Sequence, residues 1–321
     1  MPADEDAYVP KRIKTVGDLL SAIKDVKNLL VDRLWVTDRT EADRVRFWLR
    51  GHAKEDWSLC PKGLREPKPP MRAMLHEFRA EATILHDSPP RHHDLRQWLF
   101  LLQHHGMPTL LLDWTRSALA SLAFALEIER DRPKWDKQDG ALWILRPGKW
   151  NVLSNATPTY AVVDAYSPGL DDLFAVHFDQ DASSRLSCPK SRAVTALEPV
   201  FNSRRMIAQQ GVFTIHGPAA EPMENIASSL GEECLWKRII PRDRKGPLRQ
   251  ELYDMGIHLS SLFPDLDHLS SCIGRRYGGG RSTTGAEKAR GDEDPGEATT
   301  GHDLRDDMGT DGAAPSDVTC G

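Results

Sequence analysis

The stretch Gln103-His104-His105-Gly106-Met107-Pro108-Thr109, continued by Leu111-Leu112-Asp113-Trp114-Thr115, gathers imidazoles, a carboxylate and a hydroxyl around one apolar run. An imidazole or a carboxylate can take a proton from an attacking group, and a hydroxyl can fix a substrate by hydrogen bonding. His104 and Asp113 are the candidates for the proton-accepting role. Thr115 and Ser117 fall at the start of a helix, where backbone N–H groups favour an anion. Two distant clusters offer complementary groups. Arg50 ends a strand pattern and is followed by Gly51; an arginine so placed presents a fixed fork of donors to a phosphate or carboxylate. Arg204-Arg205 precede Gln209-Gln210-Gly211, which lead into another apolar strand. Each group also has a plain structural reading: Arg50 as a solvated edge residue, His104 as a helix cap, Asp113 as the partner of Thr115 or of a turn amide.

Rigid elements must carry these groups. Val45, Phe47 and Leu49 alternate with Arg46, Trp48 and Arg50, the period of a strand, and Gly51 admits either a positive φ or the close approach of a neighbour. Leu95, Trp98, Leu99 and Leu102 space a helix that delivers Gln103 and His104. A Gly-x-Pro break ends it, and a buried apolar strand follows. Leu119, Leu122, Ala123 and Leu126 form the stripe of the next helix. Further strands are predicted at 140–145, 212–215 and 235–241, with a short one at Leu34-Trp35-Val36. Helices are predicted over 74–85, where Glu77 and Glu81 read as a solvated face, and through Leu248, Leu252 and Met255 to Gly256. A short helix is expected at 170–178 and another after Asp267. Residues 61–72 read as a loop, and 149–197 as an irregular insertion with order returning at Pro199. Thr15 and Asp18 have the spacing of a capping box, opening an amphipathic helix through Leu19, Leu20, Ile23, Val26 and Leu30 that is expected to pack on the domain. The pattern as a whole predicts an α+β fold: a mixed central β-sheet of short strands flanked by helices.

The 321 residues are 40% hydrophobic and 28% charged, with a formal net charge of −5. That supports a sizeable core and gives no global basic field to recruit nucleic acid. Cys60, Cys188, Cys234, Cys272 and Cys320 are scattered without C-x-x-C spacing, which argues against a zinc site or a disulfide framework and for a reducing compartment. Residues 1–12 lack the apolar core of a secretory signal, and no run reaches the roughly eighteen apolar residues of a membrane helix. A soluble, cytoplasmic protein is expected, with no membrane partner. His92 and His93 share a loop without a further ligand at metal spacing, and no metal is predicted. Composition divides the chain into an N-terminal segment at 1–42, a folded domain at 43–274 and a Gly/Ser/Thr/Asp/Glu-rich tail at 275–321 that is expected to be disordered.

Trp48-Leu49-Arg50-Gly51, the stretch 103–115, Arg205 with Gln209-Gln210-Gly211-Val212-Phe213, and the closing Gly256-Ile257 and Leu262-Phe263-Pro264-Asp265-Leu266 resemble, in that order, the FRG domain family, named for its aromatic-Arg-Gly motif. Leu49 departs from the family's Phe or Tyr, a change of packing that leaves Arg50 and Gly51 intact. The motif order is also similar to that of ADP-ribosyltransferases, a fold-level analogy. It implies NAD as cofactor. Arg50, with Gly51 and Arg205, would hold the dinucleotide, Thr115 and Ser117 would support the nicotinamide ribose, and Gln209 or Gln210 would contact a ribose hydroxyl. Breaking the nicotinamide–ribose bond builds oxocarbenium-like charge, and His104 or Asp113 would take the proton of an unknown protein or nucleic-acid acceptor. A glutamine in the late position neither steadies that cation as a carboxylate does nor acts as a base. Two other functions fit the residues. One is non-catalytic recognition of a nucleotide or nucleic acid through Arg50, Arg204 and Arg205. The other is metal-dependent hydrolysis using His104, His105 and Asp113, although adjacent positions at a helix end point in different directions.

Overall fold

The computed structural model describes residues 12–34, 46–129, 133–154, 162–179, 181, 186–187, 192–200, 203–230 and 234–277. Among these, strands β1 (Trp48–His52), β2 (Leu111–Thr115), β3 (Gly140–Leu145), β4 (Val163–Asp164), β5 (Val194–Glu198), β6 (Gly211–His216) and β7 (Leu235–Ile240) form one sheet. Its order is β4-β5-β6-β2-β1-β3-β7. All neighbours are antiparallel except the short β4–β5 pair, so the sheet is mixed, and helices flank it. The α+β expectation therefore holds. β3 is buried along its whole length, as an inner strand covered on both faces must be.

Side chains alternate across the sheet and build different cores on its two faces. One face carries a tryptophan-rich core of Trp48, Trp114, Trp143 and Trp150 with Leu112 and Val212. The other carries two apolar clusters. Leu49, Leu142 and Ile144 pack with the Ala118–Ala125 helix and the N-terminal helix Val16–Leu34. Leu111, Phe213 and Ile215 pack with Phe100 of the Leu95–His104 helix and Phe174. The candidate site lies where these two clusters part.

One irregularity of the sheet opens that gap. β1 pairs with β3 at five positions and β2 with β6 at five, whereas β1 and β2 pair only at Leu49↔Thr115. Beyond that point the two inner strands separate, and the backbone groups between them need other partners. The carbonyl of Asp113 finds one in the Arg50 side chain, whose Nη1 donates to it at 2.5 Å. Gly51 is required for a different contact. A Cβ there would lie 1.9 Å from the Ser121 carbonyl oxygen and 2.7 Å from the Ala125 nitrogen, so the alanine-rich helix can sit against β1 only over a glycine.

The N-terminal helix starts as expected: Thr15 N–H donates to the Asp18 carboxylate and Asp18 N–H to the Thr15 hydroxyl, at 3.0 and 3.1 Å. Leu19 and Val26 are fully buried in the domain core. Just before this helix, Arg12 bridges in parallel to Ile239 of β7, and Ile13 N–H donates to the Ile239 carbonyl at 2.8 Å. Val16 N–H donates to the Glu251 carboxylate at 2.8 Å.

Several local expectations are corrected. Residues 149–197 are not uniformly irregular: Pro147–Leu153 is a helix, and β5 restores order at Val194 rather than Pro199. Distant partners stabilise this region, with Asn151 pairing both the N–H and the carbonyl of Ala196 and Trp150 Nε1 donating to the Val194 carbonyl. Leu34 ends the N-terminal helix instead of opening a strand; the rest of that expected strand lies outside the described residues. The 61–72 loop contains a 3-10 turn at Lys62–Leu64, and Met71 already begins the next helix. Arg50 sits inside its strand rather than at the end. The final helix, Leu266–Arg276, runs past residue 274; the expected tail from 278 onward and residues 1–11 lie outside the described residues.

Candidate functional site

A cavity of about 390 Å³ opens between the separated edges of β1 and β2. Consecutive residues of both strands line it, Leu49 to Gly51 and Leu111 to Thr115, as a gap at strand edges demands. Phe100 and Phe213, with ring centroids 5.2 Å apart, form part of an apolar wall.

Arg50 reaches this cavity on a fixed path. Its Nε donates to His52 Nε2 at 2.9 Å, and its Nη1 is held by the Asp113 carbonyl. His52 Nδ1 lies 3.2 Å from the Trp57 carbonyl, which requires the tautomer with Nδ1 protonated and Nε2 accepting. Burial, followed by the Arg50 charge, lowers His52 to about 2, so the ring is neutral and a sound acceptor. Burial also lowers Arg50 to about 10, which leaves it cationic at neutral pH. The Asp113 carboxylate stands 3.8 Å from Nη1, beyond hydrogen-bond range.

Arg205 enters from the other side, on the short helix Arg204–Ala208. Its guanidinium lies 4.4 Å from the ring centroid of Phe263, and among the described residues it makes no hydrogen bond or ion pair. Burial lowers its pKa, opposed by the charges of Asp113, Asp265 and Glu129. Lys62 and Arg65 stand at the exposed rim, Lys62 donating to the Gly106 carbonyl and Arg65 to the Cys60 carbonyl. Four cations thus face one cavity that also holds the carboxylates of Asp113 and Glu129.

His104 and Asp113 both line the cavity. Burial, with Arg205 and His105 adding repulsion, lowers His104 to about 4, so its imidazole is neutral at physiological pH and weakly basic. Its Nδ1 lies 3.2 Å from Ser203 Oγ; in the tautomer with Nδ1 donating, Nε2 carries the lone pair a base needs. The Asp113 side chain is 56% exposed, and its Oδ2 accepts from Gln103 Nε2 at 2.7 Å. His105 packs against Phe78, ring centroids 5.9 Å apart, and does not line the cavity with His104. Among the described residues no set of three His, Cys, Asp or Glu side chains is placed to hold a metal ion.

The other predicted groups divide. Thr115 lines the cavity, but its buried hydroxyl donates to the Gln209 carbonyl at 2.6 Å and accepts from Ser117 N–H at 2.9 Å. Gln209 lines it as well, with its side-chain amide donating to the Leu262 carbonyl at 3.1 Å. Ser117 caps the Ala118–Ala125 helix, accepting from Ala120 N–H, and is not among the lining residues. Gln210 is an exposed turn residue at φ +49° that leads into β6. Arg204 is exposed.

Sequence reasoning passed over His52, Gln103 as a holder of Asp113, Glu129 and Phe263. His52 had a signal, because it stands two residues beyond Arg50 on a strand and so on the same face. Phe263 lies inside the closing motif, but nothing local paired it with Arg205. Glu129 had no signal.

No curated protein and no solved structure gives a significant match to the chain. Residues 45–134 do match a family model, and that range carries β1 and β2 with Arg50, His52, Gln103, His104, Asp113 and Thr115. The chain therefore contains an FRG domain, matched over residues 45–134.

Proposed function

We propose that the cavity binds a nucleotide, with NAD as the cofactor, and that the protein is an ADP-ribosyltransferase-like enzyme acting on a macromolecular acceptor. One observation carries this reading: two largely buried guanidinium groups meet at one cavity, Arg50 with the Asp113 carboxylate 3.8 Å away and Arg205 with no hydrogen bond or ion pair among the described residues. A desolvated cation without a close counter-ion is costly to keep, and an anionic ligand removes that cost. Met107 and Phe124, both partly exposed where they line the cavity, offer the apolar surface a base or nicotinamide ring requires. His104 and Asp113 are the cavity groups best suited to take a proton from an acceptor.

A second reading, a recognition module that binds a nucleotide without chemistry, is favoured by how fully Thr115 and Gln209 are engaged. Thr115's hydroxyl and Gln209's amide both serve the chain itself, and would have to exchange partners to serve a ribose. Titration calorimetry with NAD and ADP-ribose tests both readings at once. Binding to the wild type, weakened by about tenfold or more in Arg205→Ala, supports the site; no binding of either ligand by the wild type overturns it. Mass spectrometry of co-expressed protein and RNA then separates the two. An added ADP-ribosyl mass identifies the enzyme, and unmodified acceptors despite tight NAD binding identify the module.

A further inference from the structure

The Asp113 carboxylate is held in a way the arginines do not explain. Arg50 stands next to it yet hydrogen-bonds its backbone carbonyl, leaving the carboxylate 3.8 Å away. The side chain is 56% exposed although its strand neighbours Leu112 and Trp114 are buried at 2% and 3%. Its orientation is fixed from behind by a chain of bonds. Gln103 Nε2 donates to Oδ2 at 2.7 Å, the Thr109 hydroxyl donates to Gln103 Oε1 at 2.5 Å, and Thr109 Oγ1 accepts from Leu111 N–H at 3.0 Å. The chain closes on the same strand, so the carboxylate is set by the elements on either side of the Gly-x-Pro break.

A carboxylate offers only acceptors. Lodged in a cavity of cations, it repels a phosphate and attracts hydroxyl donors, and a pair of oxygens suits a vicinal diol. We propose that Asp113, positioned by Gln103 and Thr109, is the specificity-determining residue that reads the 2′,3′-diol of a ribonucleotide while the arginines hold its phosphates. This rests on the nucleotide reading of the cavity and adds which end of the ligand faces which wall. It selects ribose phosphates over deoxygenated sugars and over bare phosphates. The role is one of binding, which leaves His104, of the two proton-accepting candidates, to take the proton of an acceptor.

Calorimetry on the full chain with ADP, 2′,3′-dideoxy-ADP and inorganic pyrophosphate tests it. The wild type is expected to bind ADP tighter than the dideoxy analogue by on the order of tenfold or more. Asp113→Asn keeps the side-chain shape and the Arg50–carbonyl bond. It should erase most of that difference while pyrophosphate binds as well or better, because a repelling charge is gone. Gln103→Leu, which frees the carboxylate without removing it, should reduce the discrimination part of the way. Equal binding of ADP and the dideoxy analogue by the wild type overturns the inference and leaves the phosphate site standing. So does a uniform weakening of all three ligands in Asp113→Asn. Failure of the wild type to bind any of the three overturns the nucleotide reading itself.

Discussion

At the scale of single residues, Arg50 does two things that only a guanidinium can do together. Its Nε meets a neutral imidazole and its Nη1 meets a backbone carbonyl that the sheet leaves unpaired. A lysine carries the charge but cannot span both partners. Arg50→Lys is therefore expected to lower stability by about 2 kcal/mol through the abandoned carbonyl and imidazole. Arg205→Lys, which gives up only a stacking contact with Phe263, should cost less than about 1 kcal/mol. Urea denaturation of the two variants side by side checks the contrast; equal losses would show that Arg50 is not structural. The place of Arg50 on a strand was legible in the sequence, because Val45, Phe47 and Leu49 alternate with Arg46, Trp48 and Arg50. Its dual bonding was not, since that depends on where a strand sixty residues away parts from its own.

At the scale of elements, the gap between β1 and β2 is stapled at its closed end by Thr115. Its hydroxyl joins β2 to the turn before β6 through the Gln209 carbonyl and to the next helix through Ser117 N–H. Thr115→Val removes both bonds at constant shape and is expected to destabilise the protein by about 1–3 kcal/mol. NAD affinity measured on the same variant shows whether the hydroxyl serves only the scaffold. Affinity within about twofold of the wild type assigns it to the scaffold; a loss matching that of Arg205→Ala assigns it to the ligand. Gly51→Ala is a harsher change. The new methyl collides with backbone atoms of the Ala118–Ala125 helix, and the helix can yield only by leaving β1, at a cost of about 3 kcal/mol or more. Strands β2, β3, β6 and β7 were readable because their apolar runs are local signals. Their order was not, because pairing joins residues far apart in sequence. β5 was missed for the same reason: Val194-Thr195-Ala196-Leu197-Glu198 is a weak strand by itself, and it is stabilised by Asn151 and by β6.

At the scale of the whole molecule, three buried histidines make the fold sensitive to acid. His52, His177 and His216 are lowered from 6.5 to about 2, 4 and 3, chiefly by burial. Below the ordinary histidine value the unfolded chain binds protons that the folded chain refuses. Stability is thus full above pH 6.5 and falls as the pH drops toward 4. Each group contributes a slope of about 1.4 kcal/mol per pH unit, about 4 for the three together. Denaturation midpoints at pH 7 and pH 5.5 should reveal it, and identical midpoints would overturn it. The sequence showed these histidines but not their neutrality, which arises chiefly from burial by segments distant in the chain; His177 Nε2, for example, accepts from Leu110 N–H.

The short contact between Arg12, Ile13 and β7 has a practical consequence. β7 is the last strand on its side of the sheet, and the bridge to Ile239 covers part of its outward-facing backbone. A chain trimmed to begin at residue 45, where the family match starts, would leave that margin open to pairing with a second molecule. It would also strip the side of the core that Leu19 and Val26 fill. Such a trimmed protein is expected to self-associate in light scattering at concentrations where the full chain stays dispersed, so functional work on this domain should retain residues 12–34.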